Sequence, residues 1–219
     1  MNNSPGVARR LLWVSIFSLA FAFVEASVVI YLRALYYPEG FAFPLKLIEH
    51  QHLIVELFRE TATIVMLIAV GWIAGRSGWE RFGYFCVAFG FWDMSFYVWL
   101  FFTVGWPTAL TEWDILFLIP SPWIGPVVAP ILISLFLTVA GTMIVSRLPQ
   151  KVLFQPRLLS WVLALAGTVI LLSSFMWDTR AAQGGSLPQP YRYELLVAGL
   201  LLYLGGFVAA CKRDRAISL

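Results

Sequence analysis

The chain of 219 residues is 60% hydrophobic and 12% charged, with a mean hydropathy of +0.82, whereas soluble domains carry charge on about a quarter of their residues. That balance excludes a soluble domain and predicts one all-α polytopic membrane domain over residues 1–219. The net charge of +3 is scattered over short loops with no basic patch, which excludes nucleic acid as a partner, and the two cysteines, Cys86 and Cys211, are too few for a metal framework.

Taking roughly 20 apolar residues per crossing, the sequence predicts six transmembrane helices at about 11–33, 52–75, 82–104, 125–146, 158–177 and 194–211. The first follows Arg9 and Arg10 and runs on past Ala20-Phe21-Ala22, so it reads as an uncleaved span rather than a signal peptide. Ten of the fifteen basic residues fall at the N-terminus (Arg9, Arg10), between Arg76 and Arg81, between Arg147 and Arg157, and in the tail from Lys212 to Arg215. Positive residues concentrate on the cytoplasmic side. Both termini are therefore expected in the cytoplasm, with the protein multi-pass in the inner (plasma) membrane.

The first helix carries Glu25 about six residues from its outer end, a depth of about 9 Å at 1.5 Å per residue. The second opens on the stretch from Leu47 to Thr63. There His52, Glu56, Arg59, Glu60 and Thr63 fall within about 100° of one helix face. From Ile64 to Gly75 the same helix has no ionisable residue, so its polar stripe enters the outer half of a bilayer and stops. The third helix adds Asp93 near the midplane, flanked by Trp92 and Tyr97. The connection after it contains Thr111 and Asp114, spaced as a capping box, followed by Pro120 and Pro122. This spacing predicts a short interfacial or re-entrant helix between helices three and four, with Trp113, Asp114 and Trp123 on a lid.

Helix four carries Ser134, Thr138 and Gly141, helix five Ala164, Gly167 and Thr168, and helix six Gly199, Gly205 and Gly206. These small residues suit close helix packing. The loop from Thr179 to Pro190, with Gly184, Gly185, Ser186 and Pro188, carries no recognisable chemistry.

Ionisable groups inside a membrane span are expensive and are read as functional or as mutually paired. Consecutive spans pack side by side, so Glu25, Glu56, Glu60 and Asp93 are expected to share one cluster with Arg59. They are the candidate catalytic carboxylates. Arg59, Trp92, Tyr97, Trp113, Asp114 and Trp123 are the candidate ligand contacts. A purely structural role is the competing reading: Arg59 tying two acids to fix helix register, Asp114 capping its helix, Arg33 and Glu39 snorkelling to the interface, and the tryptophans forming an aromatic belt.

Metal is the sharper alternative for the carboxylates, with His50 and His52 at the mouth of helix two as ligand candidates. The Glu-x-x-His spacing of di-iron bundles is absent, so no metal site and no cofactor is assigned. Three functional classes fit. The first is a membrane-embedded enzyme or binding protein for an amphiphilic, lipid-like ligand, with the acids as general acid and base and Arg59 on an anionic head group. The second is an accessory or assembly subunit, or a homo-oligomer, meeting a partner in the bilayer. The third is a proton- or cation-coupled transporter. The cytoplasmic half lacks acids and histidines, which favours a one-sided site facing the exterior.

Overall fold

A computed structural model describes residues 5–41, 43, 45–46, 49–119, 121–147, 154–184 and 189–211. Pro44, Leu47, Pro120, Lys151, Gly185, Ser186, Pro188 and the tail from Lys212 to Arg215 lie outside the described residues. The fold is mostly helical. Its elements are α1 (Pro5–Tyr36), α2 (His50–Ala74), α3 (Gly78–Val104), β1 (Trp113–Phe117), β2 (Trp123–Pro126), α4 (Val128–Arg147), α5 (Leu158–Met176), α6 (Thr179–Gln183) and α7 (Tyr193–Ala210). Five of them, α1, α3, α4, α5 and α7, are long and apolar enough to cross a membrane. The long helix that is not among them is α2, which holds Glu56, Arg59 and Glu60.

The helix ends carry local reasons. Ser77 starts α3 by accepting from the Glu80 N–H, and Gly105 ends it in the left-handed conformation at φ 69°. At the same end as Ser77, Arg10 donates to the Ala74 carbonyl at 3.1 Å, which joins the start of α1 to the end of α2.

The centre of the bundle is α3, packed against α1, α2 and α4, while α5 and α7 pair with each other. Small residues set these distances. A Cβ at Gly90 would overlap the Ser134 carbonyl and the Thr138 hydroxyl, and one at Gly141 would overlap the Gly83 carbonyl. The backbones of α3 and α4 therefore touch along their length, as membrane helices do when small residues face each other. Gly199 of α7 does the same for α5, against Leu171. Around α3 the core runs from Trp92 and Phe21 through Leu67, Val87 and Tyr84 to Val145 and Val7.

The connection between α3 and α4 departs from expectation. Where the Thr111 and Asp114 spacing predicts a short helix, the chain forms an antiparallel hairpin. Trp113 pairs with Pro126, Asp114 with Gly125, Ile115 with Ile124 and Phe117 with Trp123, with an irregularity between Ile115 and Phe117. The run Trp-Asp-Ile-Leu-Phe is aromatic and β-branched, which suits a strand, and two turns of helix do not repay their nucleation. The hairpin instead satisfies the backbone of both segments. Asp114 accordingly caps no helix. Glu112 fills the neighbouring turn, accepting from the N–H groups of Thr108 at 3.0 Å and Ala109 at 3.2 Å.

Candidate functional site

Glu56, Glu60 and Thr63 of the polar stripe on α2 are buried, and the face continues through Leu67 and Gly71. This stripe turns inward. Across from it α1 presents Glu25, Val29, Leu32, Arg33 and Tyr36, spaced at one face of a helix. Behind them α3 contributes Trp92, Asp93, Phe96 and Tyr97, and the hairpin closes the fourth side with residues 114–118. Together they enclose a cavity of about 470 Å³, within the usual range for sites that take small molecules.

Charge within the cavity falls into two groups. Arg59 grips Glu56 with both arms of its fork, Nε at 2.9 Å from Oε2 and Nη2 on Oε1. Its remaining nitrogen, Nη1, meets Glu25 of α1. Thr63 donates to the other Glu25 oxygen at 2.5 Å. Glu25 is 4% exposed, so this bridge is a buried polar tie between α1 and α2. One turn on, both oxygens of Glu60 receive the Leu118 N–H at 3.0 Å. The β ladder ends at Phe117, so that N–H has no strand partner and a helix carboxylate takes it.

The second group joins α1, α3 and β1. Arg33 donates to Asp114 at 2.7 Å and its guanidinium lies over the Trp106 ring at 3.9 Å and the Phe41 ring at 4.5 Å. Asp114 is 3% exposed. Burial pushes its carboxyl up to about 6, although Arg33, the Ile115 N–H and the Tyr97 hydroxyl all favour the charged form. Asp93 receives the Ser134 hydroxyl of α4 at 2.7 Å and otherwise opens onto the cavity.

Of the residues singled out from sequence, Glu25, Glu56, Arg59, Glu60, Asp93, Trp92, Tyr97 and Asp114 all line this cavity. Trp113 and Trp123 do not. Trp113 packs edge-on to Tyr191 at 5.9 Å, and Trp123 stacks on Phe175 at 6.4 Å, so both anchor the hairpin to the pair α5 and α7. Tyr191, whose hydroxyl is 2.9 Å from Ser174, has its ionisation pushed up to about 12 by burial. His52 bonds Tyr36 at 2.6 Å and His50 is exposed; neither lines the cavity. Among the described residues no three His, Cys, Asp or Glu side chains are gathered to hold a metal ion.

Arg33 was the residue hardest to see. Expected at the interface, it is half-buried and paired with the buried Asp114. Its spacing of eight from Glu25 puts both on one face of α1, and that was the available signal. The partnership of Ser134 with Asp93, and of Leu118 with Glu60, had none.

The floor is closed: Trp92 sits on Phe21, Phe89 and the buried core that continues to Val145 and Val7. Chemically this is a chamber with an apolar wall, an acidic lining and two arginines already engaged. No family model, curated protein or solved structure matches this chain.

Proposed function

We propose that this protein is an integral membrane protein that binds an amphiphilic, lipid-like molecule in the cavity between α1, α2, α3 and the hairpin, with its head among the buried carboxylates. In this reading α2 crosses the bilayer as the sixth span, the hairpin faces the exterior, both termini are cytoplasmic, and the membrane is the plasma membrane. The observation that carries it is the cavity itself, in which ionisable groups from three helices and the hairpin share one chamber with the hydrocarbon side chains of Val29, Leu32, Leu53, Leu57 and Phe96.

Two carboxylates, Glu60 and Asp93, accept hydrogen bonds but meet no guanidinium directly. They are the groups free to exchange a proton with a bound molecule, and so the proposed general acid and base. Arg59 has a different role from the anionic-head contact expected of it. Its donors are taken by Glu56 and Glu25, which makes it the residue that positions the acids. The closed apolar floor favours a one-ended pocket over a transport path.

The test is native mass spectrometry of the protein released from mild detergent. The wild type is expected to retain a bound amphiphile, and Val29→Trp, which fills the cavity wall, to lose it while folding normally by circular dichroism. Equal retention by both proteins would overturn the assignment.

A further inference from the structure

The lining is acidic in excess: Glu25, Glu56, Glu60, Asp93 and Asp114 face only Arg33 and Arg59 inside, with Lys46 exposed at the rim above the Tyr37 ring. Both arginines are spent on these acids, so an anionic head would have to break an existing ion pair to find a partner. A buried carboxylate without a counter-charge is costly, and a ligand bringing a positive charge recovers that cost. A second observation is independent of the acids. Trp92 lines the cavity at 6% exposure and its indole N–H has no hydrogen-bond partner in the described structure. Buried donors are nearly always satisfied, so this N–H awaits an acceptor. The rings of Phe96, Tyr97 and Phe117 complete surroundings in which an ammonium is favoured.

We infer that the head of the bound amphiphile is an ammonium flanked by a hydrogen-bond acceptor, as in a long-chain amino alcohol, with the nitrogen between Glu60 and Asp93 and the oxygen on Trp92. The inference rests on the amphiphile reading above and adds the head-group class. A divalent cation is disfavoured because Glu25, Glu56 and Asp114 are already held by arginines and, among the described residues, no three His, Cys, Asp or Glu side chains gather at one point.

The experiment measures displacement of a fluorescent alkyl probe from the purified protein in neutral detergent by 2-amino-1-dodecanol, dodecylamine, dodecanol and dodecanoate. The amino alcohol is expected to compete at least tenfold better than dodecanol, and dodecanoate worst. Glu60→Gln and Asp93→Asn are each expected to remove most of the advantage of the amines over dodecanol, read as the ratio of the two within each variant. Trp92→Phe is expected to erase the advantage of the amino alcohol over the plain amine. Dodecanol competing as well as the amines, with Val29→Trp abolishing both, would overturn the head-group assignment and leave the amphiphile reading standing. Binding unaffected by Val29→Trp would overturn both. Phosphatidylethanolamine in nanodiscs is a further competitor: competition equal to the amino alcohol supports the ammonium assignment and identifies a phospholipid as its source. Displacement by calcium or magnesium chloride alone would overturn it.

Discussion

At the residue scale the decisive side chain is Arg59, because it is shared between helices. A buried ion pair contributes little net stability, yet removing one member strands the other and costs about 3–5 kcal/mol. Arg59→Met strands Glu25 and Glu56 together. We expect a loss of roughly 3 kcal/mol in detergent unfolding, most of it recovered by adding Glu25→Gln and Glu56→Gln. No recovery in the triple variant would show that Arg59 acts through packing instead.

Asp114 makes stability depend on pH. Its carboxyl is raised from the ordinary 3.8 to about 6, so the folded chain holds the proton more tightly than the unfolded chain. Stability from this group is greatest below about pH 4 and falls as pH rises to 6. Between pH 7 and pH 5 the gain is about 1 kcal/mol, from 1.36 kcal/mol per pH unit. Thermal unfolding should show this increment in the wild type relative to Asp114→Asn. Identical pH profiles would refute it.

At the scale of elements, two seams place the acids. The seam between α3 and α4 is set by Gly90 against Ser134, whose hydroxyl bonds Asp93 three residues further along α3. Gly90→Val must push α4 away from α3, so we expect it to lower the unfolding temperature and to weaken ligand retention with the cavity residues untouched. Retention unchanged at reduced stability would separate the seam from the site. The other seam is the hairpin, fastened by Glu60 on one side and by Trp123 and Trp113 on the other.

These elements also mark what could be read in advance. The helices and the inward stripe on α2 follow from apolar run length and a period of 3.6, both local properties. That Glu25, Glu60 and Asp93 line one cavity follows from adjacency of consecutive helices. The hairpin escaped because Thr111 and Asp114 fit a helix cap locally, while its stability comes from pairing with Trp123 to Pro126 and from Leu118 reaching a distant carboxylate. Such partners have no signature in a local window. Arg33 escaped for the same reason: its partner lies 81 residues away.

At the scale of the whole molecule, the asymmetry between the two ends determines what the protein can do. One end holds the hairpin and the acidic cavity; the other holds the joined ends of α1, α2 and α3 with Arg10 near Glu80 at 3.8 Å. Between them lies the apolar cluster that runs from Trp92 to Val7. A membrane-impermeant thiol reagent tests this directly, in a background where Cys86 and Cys211 are replaced. Val29→Cys on the cavity wall should react when the reagent is added to intact cells, and Ser77→Cys, exposed at the other end, only when it is added to the outside of inverted vesicles. Protection of Val29→Cys by the amphiphile would then tie the accessible chamber to the bound molecule. Reaction of Val29→Cys from both sides would reveal a route through the floor, and the protein would have to be understood as a carrier rather than a pocket.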